Sequence, residues 1–217
     1  MNIIEYVPEV IILLTVITSV IGFNNTAFRD RYVFNVSAIL GKSRQWDRLI
    51  TSASLHGDWM HLIFNMMTLY FFSDVVLYAL GVWAYLAIYF LSILGGGLLA
   101  LFVHRREYYY TALGASGGVV GVLFAAIAIY PDMGVGMLFI PFYIPGWVFG
   151  IIYLAYSIYG MQTRQGNIGH DAHLGGAAVG LLFTVAMYPE LLNENGLYIG
   201  IMIVPLIVLG YFVWKQK

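Results

Sequence analysis

The chain has no cysteine in 217 residues. A disulfide framework and a thiolate metal site are therefore excluded, and the redox character of the compartment is left unmarked. Charge is nearly as scarce. Only 10% of residues are Asp, Glu, Lys or Arg, against about 25% in an ordinary soluble domain. Hydrophobic residues make up 61% of the chain, and the mean hydropathy is +0.82. Such a composition cannot cover a surface in water, so the solvent must be the lipid bilayer. The formal net charge of −1 argues against a polyanion such as nucleic acid as partner. There is also no charged tail, no low-complexity tract and no stretch suited to a cytosolic domain. Function must be carried out within or beside the membrane.

What is present is a series of apolar runs. A membrane helix needs about 20 mostly apolar residues. Seven segments qualify, at roughly 7–23, 58–80, 82–103, 113–130, 136–160, 171–188 and 197–214. Turn residues separate them: Gly81, "PDMG" at 131–134, "MQTRQGN" at 161–167 and "PELLNENG" at 189–196. The expected fold is an all-α polytopic membrane protein, a single membrane domain over 1–217 with seven spans. The first run lacks a basic start and a small-x-small cleavage site, so it is expected to be a retained span. Residues 24–57 form a long link that mixes charges with Phe28, Tyr32, Phe34, Leu40, Trp46 and Leu49. This composition predicts a structured, partly buried segment at the interface.

Polar side chains inside spans are costly, and each is a functional candidate by default. The second span opens "HGDWMHLIFN", with His61 and Asn65 one helical turn apart on one face and His56 just before them. The fourth carries Ser116 within "TALGASGGVVGVLFAA" (111–126). The sixth opens "GHDAHLGGAAVG" (169–180), with His170, Asp171 and His173. Each alone has an ordinary structural explanation. A membrane serine bonds back to a carbonyl one turn earlier, an asparagine joins helices, and a histidine near a helix end sits at the interface, as His56, His104 and His170 would. Their common depth changes the odds. Ser116, His61, Asn65 and His173 all lie near the starts of spans two, four and six, which run in the same direction, so they can converge near one surface.

The glycines fit this convergence, although each costs a helix roughly 1 kcal/mol relative to alanine. Gly117 and Gly121, extended by Ala125, make a small-residue row in the fourth span. Gly176 and Gly180 make another in the sixth, on the face of His173. Small residues let membrane helices approach closely. Gly114 and Gly117 would also leave room for a peptide backbone at the Ser116 hydroxyl. The chemistry suggested is nucleophilic acyl transfer. A serine needs a neighbouring base, which neutral imidazole supplies, and donors for the tetrahedral oxyanion. The free N–H groups at the start of the Ser116 helix, His61 and the Asn65 amide are candidate donors. Asp171 is two residues from His173 and faces elsewhere on the helix, so a dyad is the economical arrangement.

"GASG" (114–117), "HGDWMHLIFN" (56–65) and "AHLGGAAVG" (172–180), in this order on separate membrane helices, resemble the rhomboid family of intramembrane serine proteases. "QWDR" (45–48) looks like the family's Trp/Arg element of the first loop, bringing in Trp46 and Arg48. The resemblance implies a six-helix core over about 7–188 plus an extra C-terminal span over about 197–214. It implies Ser116 as nucleophile, His173 as general base, an oxyanion hole lined by His61, Asn65 and the Ser116 N–H, and His56 as a supporting residue. It further implies single-span membrane proteins as substrates, cleaved near the membrane surface, with no cofactor and no metal. Three positions depart from the family pattern. Val120 stands where an aromatic commonly packs on the catalytic histidine. Asp74 is present where a Glu/Arg pair often ends the second span, with no arginine beside it. A seventh span follows the core.

All ten Lys and Arg fall in loops or tails on the face that carries Ser116 and His173. The positive-inside rule makes that face cytoplasmic, whereas the family resemblance implies the reverse. The expectation adopted is a multi-pass protein of the plasma membrane with an extracytoplasmic catalytic face. Two other functions compete. A rhomboid-like fold without protease activity would act as a membrane chaperone or binding protein. A histidine-lined transporter is disfavoured, because HExxH and cysteine are absent and Asp74 is the lone acidic residue in a span interior.

Overall fold

A computed structural model describes residues 6–136, 142–163 and 169–215. Helix α1 (Val7–Asn24) carries Pro8 in its first turn, where a missing N–H costs nothing. The long link that follows is structured, as its composition predicts: α2 (Thr26–Tyr32), the two-residue strand β1 (Phe34–Asn35), α3 (Val36–Leu40), α4 (Arg48–Thr51) and a 3-10 turn over Ser52–Ser54. Asn25 and Asn35 cap α2 and α3, their side chains accepting from the Phe28 and Ala38 N–H groups. Arg48 is buried and ties the link together. Its Nε donates to Gln45 Oε1 at 2.7 Å, and its Nη1 donates to the carbonyls of Asp30 and Val33 at 2.9 and 2.6 Å. A buried guanidinium must find acceptors of this kind. Trp46 is half exposed. Arg31 pairs with Asp47 at 2.8 Å and Arg29 with Asp30 at 3.5 Å, so much of the link's positive charge is engaged internally.

The link is anchored without a Glu/Arg pair at the end of the second span. Strand β1 pairs antiparallel with β2 (Thr111–Ala112), in register Phe34 to Ala112 and Asn35 to Thr111. Phe34, Val36, Ile39 and Leu49 bury a small apolar cluster with Ala100 and Leu101. The segment running into Ser116 is thereby fixed to the link.

Asp58 caps α5 (Trp59–Leu80) by accepting the His61 N–H at 2.8 Å. Gly81, at φ +83°, makes the sharp turn into α6 (Val82–His104), a conformation open to glycine. Helix α7 (Ser116–Ile129) follows. Strands β3 (Gly134–Gly136) and β4 (Tyr143–Pro145) then form a small hairpin ahead of α8 (Gly146–Thr163). The expected fifth span therefore starts ten residues late, because residues 143–145 are extended and paired; residues 137–141 lie outside the described part. Helices α9 (His170–Met187) and α10 (Leu191–Lys215) complete the chain, α10 with Pro205 inside it.

Among the described residues, four helices are long and apolar enough to cross a membrane: α1, α5, α6 and Leu191–Val213 of α10. Helix α7 has 14 residues, about 21 Å against a hydrocarbon core of about 30 Å. Every residue from Gly117 to Ile129 is buried, as expected of a helix apolar all round. It stands at the centre of the molecule among α5, α6 and α9, with α8 and α10 outside it and α1 against α5. Its C-terminal carbonyls are satisfied by protein: Asn195 Nδ2 donates to Ala128 O at 3.0 Å and Ile129 O at 2.9 Å.

Candidate active site

The site is built where α7 meets α5 on one side and α9 on the other. Gly114 adopts φ +130°, which few side-chain-bearing residues can follow. A Cβ there would lie 2.7 Å from His61 Cε1 and 2.9 Å from His61 Nε2, with Ser116 Oγ at 3.8 Å. The missing side chain is thus the space into which the His61 imidazole and the Ser116 hydroxyl both project. Asn65 is buried one turn below His61, and its Nδ2 donates one hydrogen to the His61 carbonyl at 2.9 Å, leaving the other N–H of the amide to a further acceptor.

A hydrogen-bonded chain sets the backbone before Ser116. The Ala115 N–H donates to His56 Nε2 at 3.4 Å, and His56 Nδ1 lies 2.9 Å from Ser19 Oγ. Ser19 in turn donates to the Ser54 carbonyl at 3.0 Å, as does Thr18 at 2.7 Å. With Nε2 accepting, the Nδ1–H tautomer is the consistent assignment. The Gly114 N–H donates to Ser52 O at 3.1 Å. His56, which the sequence could equally have left at the interface, is therefore buried and bonds directly to the residue before Ser116. Burial, together with the neighbouring His61 imidazole, pushes its pKa from 6.5 down to about 3, so it is held neutral.

Helix α9 lies directly on α7. A Cβ on Gly176 would overlap the Gly117 carbonyl, and one on Gly180 would overlap that of Gly121. On α7, a Cβ at Gly121 would overlap the Ser92 side chain. Gly117 is different: a Cβ there would meet Ala172 O at 3.4 Å and Ser92 O at 3.5 Å, ordinary contact distances. The close approach is set by the α9 glycines more than by Gly117. The same contact puts Ala172, which precedes His173, against Gly117, which follows Ser116.

His173 is half buried. Its Nδ1 lies 2.9 Å from the Tyr153 hydroxyl of α8, whose ring lies at 6.0 Å and 27° to the imidazole. Nε2 is the ring nitrogen outside this contact. No hydrogen bond joins Ser116 Oγ to His173 among the described residues. Val120 is a buried aliphatic residue, so the ring that packs on His173 comes from α8. Tyr153 was not singled out from the sequence. It stands in an aromatic-rich helix, and only the lack of a ring at position 120 hinted that one was needed. Asp171 does face away from His173: its Oδ2 lies 3.1 Å from His104 Nε2, while His104 Nδ1 meets Glu107 Oε2 at 3.0 Å. His104 and His170 are not simple interfacial residues. His104 stacks on Tyr110 at 3.5 Å, and buried His170 packs edge-on to Tyr156 at 5.3 Å.

A serine at the start of a buried helix, a histidine ring beside it and a second histidine on the adjoining helix lie in the core of a polytopic membrane protein. The family follows from comparison with known proteins: the Rhomboid domain model matches residues 43–190, and the chain belongs to the rhomboid family. It is 32% identical over 140 residues to rhomboid protein 1, mitochondrial, of Saccharomyces cerevisiae, covering 62% of this chain and 40% of that protein. It is 30% identical over 174 residues to RHOMBOID-like protein 12, mitochondrial, of Arabidopsis thaliana, covering 72% and 50%. The human presenilin-associated rhomboid-like protein, mitochondrial, is 29% identical over 157 residues, covering 68% and 39%. The chain spans half or less of the length of these relatives. Their names correct the expected location. All three are mitochondrial by name, which overturns the plasma-membrane location expected from the sequence; charge counting has no means of telling one bilayer from another.

Proposed function

We propose that the protein is an intramembrane serine protease that cleaves single-span membrane proteins through Ser116 and His173. His173 Nε2 takes the Ser116 Oγ proton as Oγ attacks the scissile carbonyl carbon. The oxyanion that forms is met by the Ser116 N–H, the His61 imidazole and the free N–H of Asn65, at the positive end of α7. Collapse breaks the C–N bond, the proton on His173 passes to the leaving amine, and an acyl-enzyme remains. Water, deprotonated by His173, releases the second product. The observation that carries this reading is the glycine contact of α7 on α9, which brings the flanks of Ser116 and His173 together while Gly114 opens the space above the hydroxyl.

A fluorophosphonate reacts only with an activated serine. The wild-type chain should label, and Ser116→Ala and His173→Ala should each reduce labelling by at least a hundredfold. Labelling that survives Ser116→Ala overturns the site. A wild-type chain that neither labels nor cleaves a test substrate would instead be a rhomboid-like binding protein.

A further inference from the structure

We propose that Tyr153 is a positioning residue for His173, fixing which ring nitrogen carries the proton and which is free to act. Its catalytic consequence rests on the Ser116–His173 reading; the contact itself does not. An imidazole that accepts a proton at Nε2 must already hold one at Nδ1. The Tyr153 hydroxyl lies 2.9 Å from Nδ1, where either atom can be the donor; accepting from that N–H, it favours the Nδ1–H tautomer. It also opposes the ring flip that would exchange the two nitrogens. When His173 takes the serine proton the same hydrogen bond becomes charge-assisted and strengthens. A residue that bonds more tightly to the charged ring than to the neutral one lowers the barrier, not only the ground state.

Tyr153 is itself held. Phe149, one turn earlier on α8, lies 5.8 Å away with the rings at 26°, and Phe124 of α7 lies at 6.0 Å. The arrangement continues along α8. Tyr156 packs against His170, and a Cβ on Gly160 would overlap the His170 ring. Phe149, Tyr153, Tyr156 and Gly160 follow helical spacing along one face. On α9, His170 and His173 are three residues apart and share a face in the same way. Helix α8 thus offers two adjoining seats, a notch at Gly160 for His170 and a hydroxyl at Tyr153 for His173. The base is oriented by an element distinct from those bearing the nucleophile and the base.

The test is Tyr153→Phe, which keeps the ring and removes one oxygen, measured on the full chain in detergent micelles. With 15N-labelled histidine and His173→Ala to assign the signal, the wild-type ring should show the Nδ1–H tautomer, and Tyr153→Phe should shift it toward a mixture. On substrate, kcat should fall roughly tenfold, the worth of one hydrogen bond to a group that gains charge, with KM and Tm nearly unchanged. Tyr153→Leu, which also loses the ring, should fall further. An unchanged tautomer in Tyr153→Phe overturns the proposal, as does an unchanged kcat. If Ser116→Ala labels like wild type, the protease reading fails alone, and the tautomer measurement still decides on Tyr153.

Discussion

His56 never reaches the proposed reaction centre, yet it governs the backbone that does. Its Nε2 accepts from the Ala115 N–H and its Nδ1 serves Ser19, so only the neutral ring satisfies both contacts. The pH dependence follows from its depressed pKa. Above about pH 6.5 the ring is neutral in folded and unfolded chains alike. Between pH 6.5 and about 3 the unfolded chain binds a proton that the folded chain refuses, so this histidine makes stability fall as pH falls. The limiting slope is about 1.4 kcal/mol per pH unit. His56→Gln, which keeps a polar side chain and cannot titrate, should flatten the decline in Tm between pH 7 and 5. A parallel decline in wild type and variant would show that His56 is not the group responsible. At this scale the sequence was only partly legible. "GASG" and "HLGG" expose themselves because glycine is expensive in a helix and must have a reason. Tyr153 does not, being one of several tyrosines in "GIIYLAYSIYG", and nothing local distinguishes the one that faces α9.

Between elements, the glycines are not equivalent. The sequence pairs Gly117 with Gly121 and Gly176 with Gly180 as matching rows. In three dimensions α9 rides on the α7 carbonyls, so a methyl group is excluded at Gly176 and Gly180 and accommodated at Gly117. Gly176→Ala should therefore destabilise by about 1–3 kcal/mol through overpacking, read as a lowered Tm in detergent. Gly117→Ala should leave Tm nearly unchanged, since it also removes glycine entropy from the unfolded chain. Equal losses at the two positions would contradict this asymmetry. Helical periodicity could not supply it, because spacing says which residues share a face and not which of two faces gives way. The same limit applies to the fifth expected span. Residues 143–145 are as apolar as the helix they precede, and only their pairing with residues 134–136 removes them from it.

Across the whole molecule, the spans are legible where an apolar run is long and uninterrupted, but α10 begins six residues ahead of the expected seventh span, because residues 191–196, read as a turn, are helical. The expected bounds of the first three agree with α1, α5 and α6 to within a residue, because lipid contact requires an uninterrupted apolar run. Helix α7 escapes that requirement. Enclosed by α5, α6 and α9 and closed below by Asn195, it meets protein on every side and need not match the thickness of the hydrocarbon. The helices that must match it are α1, α5, α6 and α10. In reconstituted bilayers of increasing acyl length, the emission of the exposed Trp59 and Trp83 should therefore respond, while the rate of fluorophosphonate labelling at Ser116 changes little. Labelling that tracks thickness as steeply as the tryptophans would show that α7 is coupled to lipid after all. The short central helix acts as a suspended piston rod rather than a strut. Bilayer strain is absorbed by the outer helices as tilt, and the depth of the serine is set by its protein neighbours, so a change of lipid would leave both the position of Ser116 and its reactivity unaltered.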